Sequence, residues 1–244
     1  MRTARPSRGE RMTAARTIAA AGIVLLSVPA SAVADPAFTL GPKVVTERNV
    51  KSVVGPSVRI DENGQISLAW MEEEKDVRSV LYARTALSGG AMQAPVRVNR
   101  PDEVPYWRQE APALAVDGDE VFVTWGLTHP KAGPQQPFAT ELRLSRSTDR
   151  GETFQASVLV NDDTGVIQHT FDALHHGPGG HLHVAWIDGR DGKKDPGTYV
   201  ARSVDRGASV TKNLKVDEGT CVCCRMALAS GPDGTLYLAW RKIF

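Results

Sequence analysis

Cysteine is scarce and odd in number: three in 244 residues, all within four positions at Cys221, Cys223 and Cys224. An odd count excludes a complete set of internal disulfides, because one thiol is always left over. A surplus of charge is missing as well. The 29 Lys and Arg are balanced by 28 Asp and Glu, which removes any general pull towards nucleic acid or an anionic membrane. Only one long apolar run occurs, Ile18 to Val28, and it falls well short of the ~20 residues a spanning helix needs. Helical periodicity is absent too: beyond Ala34 no stretch of about a dozen residues repeats its apolar positions every 3.6 residues. What is present is a hydrophobic fraction of 41%, which excludes wholesale disorder in a chain long enough for one large domain or two small ones.

The apolar run has a context. Arg2, Arg5, Arg8, Arg11 and Arg16 precede it, and Ala32-Val33-Ala34 follows, just before Asp35-Pro36. Basic, apolar and small residues in that order form a secretory signal peptide over residues 1–34, with Met12 as an alternative start. No Cys stands at the cleavage point, so a lipoprotein is not expected. The mature chain, 35–244, is expected to be soluble, without a membrane span, and periplasmic or secreted.

Four of the five Trp close near-identical strings: SLAW at Trp70, FVTW at Trp125, HVAW at Trp186 and YLAW at Trp240. A second string follows each of the first three, ending near Arg84, Arg146 and Arg202. A third string, VRVN, VLVN or LKVD, ends 15 residues after each of those arginines, at Asn99, Asn161 and Asp217. Three equal intervals mark a repeat. Each unit reads as four short strands. In the third unit these are Phe171 to His175, His181 to Ile187, Thr198 to Ser203 and Leu214 to Val216. Four-stranded units repeating at this length predict β-propeller blades.

The turn after the third strand carries a resemblance. Ser147-Thr148-Asp149-Arg150-Gly151-Glu152-Thr153-Phe154 matches the Asp box, S-x-D-x-G-x-x-F/W. Ser203-Val204-Asp205-Arg206-Gly207 repeats it with Val210 at the aromatic position, and Thr85 to Met92 is a decayed copy with Leu87 in place of Asp. From about Lys43 onward the chain therefore resembles the sialidase-like (neuraminidase) Asp-box propellers. The resemblance implies an all-β fold of four-stranded blades from a six-bladed parent, with the boxes structural and on the outer rim. Three units are complete, and the fourth ends after its second strand at Phe244. Val44-Val45-Thr46 reads as a fourth strand without its own first three. At about 57 residues per blade a six-bladed ring needs roughly another hundred residues. Truncation is the expected reason, and completion by another subunit is the alternative.

Propeller function concentrates where inter-blade loops meet the central channel. Those loops, Thr46 to Pro56, Arg100 to Pro112, Asp162 to Asp172 and Glu218 to Met226, hold many of the reactive residues. The resemblance implies an arginine triad gripping a carboxylate, a Tyr/Glu nucleophile pair and an Asp acid/base. In register with the family's first Arg-Ile-Pro stands Val54-Gly55-Pro56, with Val at the Arg position, and an alkyl side chain cannot replace a bidentate guanidinium. Arg108 and Arg225 are candidates for other carboxylate clamps, and Tyr106 with Glu103 or Glu110 for the nucleophile pair.

The cysteines admit two readings. Three clustered thiols are soft ligands suited to copper or zinc. Aligning Ala173-Leu174 with Ala227-Leu228 puts His169 at the blade position of Cys223, as a fourth ligand. The other reading is a local Cys221–Cys224 disulfide with a spare thiol, or a bridge to another chain. Asp188-Gly189-Arg190-Asp191-Gly192 reads as a structural turn, and the other histidines as partly exposed strand residues. Two functions follow. One is an extracytoplasmic binding or accessory propeller for a carbohydrate or another protein, and the other an exo-α-sialidase-type glycoside hydrolase.

Overall fold

In the computed structural model, residues 24–25, 44–45, 50–86, 92–106, 110–192 and 195–244 are described. The remainder of the segment read as a signal peptide, the decayed box turn at 87–91, and Arg108 lie outside them. Among the described residues there is no α-helix, as the missing periodicity predicts, and no helix long and apolar enough to cross a membrane.

Three antiparallel sheets of four strands follow one another. The first is β3 (Ser52–Ile60), β4 (Gln65–Glu74), β5 (Val77–Ala86) and β6 (Val96–Arg97). The second is β7 (Ala113–Asp117), β8 (Glu120–Thr128), β9 (Thr140–Ser147) and β10 (Val158–Leu159). The third is β11 (His169–His176), β12 (Leu182–Asp188), β13 (Gly197–Ser203) and β14 (Leu214–Asp217). A two-stranded sheet of β15 (Ala227–Ser230) and β16 (Leu236–Ala239) comes last. Each strand pairs with its sequence neighbour, so every repeat unit is a meander. The first strands of successive sheets adjoin, β3 beside β7, β7 beside β11 and β11 beside β15, and the sheets spread from this inner row. The sheets do not close into a ring among the described residues. Among the described residues, Val44–Val45 (β2) pairs with Val24–Leu25 (β1) and with no strand of the last sheet.

Strand alternation explains why the Trp strings are nearly all apolar. In β12, Leu182, Val184 and Trp186 face the second sheet, where Phe122, Leu142 and Leu144 meet them, while Ala185 and Ile187 face the last sheet. In β8, Val121, Val123 and Trp125 pack towards the first sheet. A sheet covered on both faces needs apolar residues at both parities. Burying each large side chain contributes about 1.5–3 kcal/mol, and Trp125 and Trp186 are fully buried.

The box turns lock neighbouring sheets together. The Ser147 hydroxyl donates to Asp149 at 2.6 Å and accepts the Gly151 N–H at 2.8 Å. The Asp149 carboxylate accepts the Thr153 N–H at 2.9 Å. Ser203, Asp205, Gly207 and Ser209 repeat this arrangement. Hydrogen bonds from Ser147 and Thr153 hold Asp149 at a pKa of about 2, and those from Ser209 and Ser203 do the same for Asp205. Gly151 has φ +83°, and a Cβ there would stand 2.0 Å from the Tyr82 ring of the first sheet. Phe154 packs edge-on against that ring. The repeated arginine clasps the next turn: Arg84 reaches Glu152, and Arg146 reaches the carbonyls of Asp205 and Arg206. Asn99 and Asn161 each accept a third-strand N–H, from Val80 and Leu142, at 2.8 and 2.9 Å. The 15-residue interval is thus the distance from clasp to cap.

Candidate functional site

Two inner strands carry the same irregularity. Register shifts occur in β3 between Val54 and Ser57 and in β11 between Thr170 and Ala173. The bulged residues, Gly55 and Phe171, both have positive φ, 61° and 54°. A bulge re-aims a side chain. At Gly55 there is nothing to aim: a Cβ would lie 2.5 Å from the Ala111 Cα, so only glycine fits. Val54, beside the first bulge, is a partly buried apolar residue packed against the core between the first two sheets. At Phe171 the conformation costs a non-glycine residue about 1–2 kcal/mol. The ring is partly exposed, and the exposed Arg225 guanidinium lies 6.0 Å from its centroid.

Beneath them is a buried pair of carboxyl groups. Glu110 leads into β7 and Asp172 follows Phe171, and both are almost fully buried. Thr124 of β8 donates its hydroxyl to Asp172. Burial, then the Asp172 charge, pushes Glu110 well above the usual carboxylate range, against the pull of Arg225. Burial likewise raises Asp172, opposed by Thr124 and Arg225. Glu110 Oε2 has no hydrogen-bond partner among the described residues. It stands 3.2 Å, and Tyr106 Cβ 3.6 Å, from where a Cβ on Gly126 would be. Tyr106, Glu110 and Arg225 therefore collect at the starts of the inner strands. Glu103 turns elsewhere, accepting the Arg100 N–H at 2.7 Å and the Ser157 hydroxyl.

His169 does not join the cysteines. It is fully buried, with Nδ1 at 2.5 Å from the Thr140 carbonyl and Nε2 at 2.7 Å from Asp163, so both nitrogens are engaged. Asp188 lies 3.7 Å from Nε2. Arg190 bridges Asp188, Asp163 and Asp162 at 2.9, 3.2 and 2.6 Å, and its guanidinium stacks 4.4 Å from the Tyr199 ring. Burial opposes the charge on His169, but the Asp163 hydrogen bond and the Asp188 charge outweigh it and raise the pKa. Burial likewise opposes the charge on Asp163, but the His169 bond outweighs it, at about 2. Asp163, His169 and Asp188 have metal-ligand types and spacing. Arg190 already fills that role as the counter-cation. The sequence pattern of residues 188–192 shows a turn and gives no sign that Arg190 reaches back to two aspartates on the preceding loop.

The three thiols do converge. Cys221 Sγ lies 3.0 Å from Cys224 Sγ and 3.4 Å from Cys223 Sγ. Their loop is tied down at several points. The Cys221 N–H donates to the Arg241 carbonyl at 2.9 Å, the Thr220 N–H donates to the Pro196 carbonyl at 2.9 Å, and the Thr220 and Thr198 hydroxyls lie 2.7 Å apart. Hydrogen bonding from Cys224 lowers the Cys221 thiol to about 7, and the bond to Cys221 raises Cys223. Val222, between Cys221 and Cys223, lines an apolar cleft of 310 Å³ with Phe138, Ile167, Ile187 and Pro196.

No family model matches the chain, and no curated protein does. Solved structures do match. A protein of unknown function from Dyadobacter fermentans shares 17% identity at a TM-score of 0.57, over 84% of this chain and 61% of that one. A Hadza microbial sialidase shares 15% at 0.58, over 84% and 49%. A Penicillium chrysogenum α-L-arabinanase, complexed with arabinobiose, shares 11% at 0.56, over 83% and 63%. These likenesses place the sheets in a propeller-type fold of the kind found in sialidases and an arabinanase. The chain spans about half to two thirds of the length of these structures.

Proposed function

We propose that this chain is an extracytoplasmic, sialidase-like Asp-box propeller that binds an acidic carbohydrate where the inner strands begin, and that it holds the sugar without cleaving it. The paired bulges carry this reading. On β3 the bulge is sealed by Gly55 against Ala111, and Val54 beside it is part of the core, so the carboxylate clamp of a sialidase has no counterpart there. On β11 the equivalent bulge presents an aromatic ring next to an exposed guanidinium. An aromatic face and an arginine suit a sugar ring bearing a carboxylate. Glu110 and Tyr106 are interior groups, 2% and 7% exposed, which suits support of the site better than attack on a substrate.

A second reading, hydrolysis of the exo-α-sialidase type, is favoured by one observation: burial raises the pKa of Glu110 well above the usual carboxylate range, the direction that suits a general acid. A fluorogenic sialoside separates the two. The binding reading expects no release of the fluorophore above the uncatalysed rate. Turnover that disappears in Glu110→Gln or Tyr106→Phe would establish the hydrolase instead. Fractionation of the native host, with the chain recovered outside the cytoplasm and lacking residues 1–34, tests the proposed location.

A further inference from the structure

The thiols next to Arg225 take no part in the proposed sugar contact and ask for their own explanation. Three Sγ atoms lie within 4.8 Å of one another, and among the described residues no His, Asp or Glu ligand atom joins them. The imidazole aligned with them, His169, is engaged at both nitrogens by Thr140 and Asp163. The donor set is therefore three sulfurs and nothing else.

Donor chemistry chooses the metal. Zinc in structural sites takes four tetrahedral ligands, whereas soft thiolates also select Cu(I), a closed-shell ion content with three. The cation beside the sulfurs is consistent with this. Arg241 Nη1 lies 3.6 Å from Cys224 Sγ, where it offsets the surplus negative charge that three thiolates leave around a monovalent ion. The loop is also built to present its sulfurs. Its backbone is pinned by Cys221 to Arg241 and by Cys224 to Cys221, while the intervening Val222 lines the neighbouring cleft.

We propose that Cys221, Cys223 and Cys224 bind one Cu(I) ion as a three-coordinate, all-sulfur site. Each sulfur that is still protonated gives up its proton to solvent as it bonds the ion, so up to three protons leave for each Cu(I) bound and no electron is transferred. With metal–sulfur bonds of about 2.3 Å a planar triangle of sulfurs has edges of about 4 Å. The present separations of 3.0 and 3.4 Å therefore have to widen. Cys223 is exposed and Cys224 half-buried, so both can move outwards while buried Cys221 stays fixed.

The test uses the full chain, reduced completely under anaerobic conditions and titrated with Cu(I) against bicinchoninate. The expected result is one Cu(I) per chain, with X-ray absorption showing three sulfur neighbours at about 2.2–2.3 Å and no nitrogen or oxygen. Cys223→Ser, a change at an exposed position, should weaken competition by at least about tenfold while the circular dichroism spectrum stays that of the parent. Absence of binding after full reduction overturns the proposal, as does a copper site with nitrogen or oxygen neighbours. Unchanged affinity in Cys223→Ser also overturns it. A Cys221–Cys224 disulfide that reforms and excludes copper even with excess thiol reductant present would do the same.

Discussion

Glu110 is a carboxyl group the fold buries without a full set of partners, and its titration should be visible in stability. Its folded pKa is raised, so the folded chain holds a proton that the unfolded chain has released. A raised acid costs stability as pH climbs from the ordinary carboxylate value through the folded one. Glu110→Gln keeps the shape of the neutral acid and removes that cost. Thermal melts from pH 4 to pH 8 should show the variant gaining on the parent as pH rises, and parallel curves would contradict this. His169 has the opposite logic for a base. Its pKa is raised by Asp163 and Asp188 against burial, so its contribution is complete below the ordinary histidine value and fades as pH rises through the folded one. Asp163, at about 2, contributes above the ordinary aspartate value and fades as pH falls towards 2. Nitrogen-15 spectra should show both His169 ring nitrogens protonated at pH 6.5, and Asp163→Asn should lower its pKa. A neutral ring at that pH would contradict the geometry. These residues were only half legible in the sequence. Asp149 and Asp205 could be assigned because their bonds are local, within four residues. The Glu110–Asp172 pair and the Arg190 bridge join different sheets and loops, and no spacing along one chain encodes such a meeting.

At the scale of elements, the repeat is mechanical. In the first two sheets the third strand carries an arginine, Arg84 or Arg146, that holds the next box turn, and an asparagine after the fourth strand, Asn99 or Asn161, caps the third. Equal sequence intervals made this legible, because a strand and a turn of fixed length cannot change without breaking a clasp. The β-bulges were not legible. Val54-Gly55-Pro56 and Thr170-Phe171-Asp172 share no residue type, and only backbone register shows that they correspond. The two box glycines give a graded test. Gly151→Ala places a methyl inside the Tyr82 ring as well as in the left-handed region, and should cost about 2–4 kcal/mol. Gly207→Ala meets only the Leu182 methyl at 3.2 Å and the Phe122 ring at 3.4 Å, and should cost about 1–2 kcal/mol. Urea denaturation of both variants checks the order. Equal losses would mean that the Tyr82 contact is not rigid.

For the whole molecule, sheets spreading from a shared inner row put their first strands side by side and so bring Glu110, Asp172 and Arg225 to one end. The sequence points to that end as the candidate place of function, since reactive residues crowd its loops, and its four-stranded units are there, in sheets that do not close into a ring among the described residues. It could not foresee which loop residues face inwards as support and which face outwards as contacts. Phe171, partly exposed, and Arg225, exposed, are the proposed contacts, and the claim that they hold an acidic sugar is central. Its most direct measurement is isothermal titration calorimetry of the full chain with sialyllactose, beside lactose as the uncharged control. The account predicts saturable binding of sialyllactose alone, weakened by about tenfold or more in Arg225→Ala, in keeping with loss of a charge-assisted contact of 1.4 kcal/mol or more. Equal heats for the two sugars, or an Arg225→Ala variant that binds sialyllactose as tightly as the parent, would contradict it.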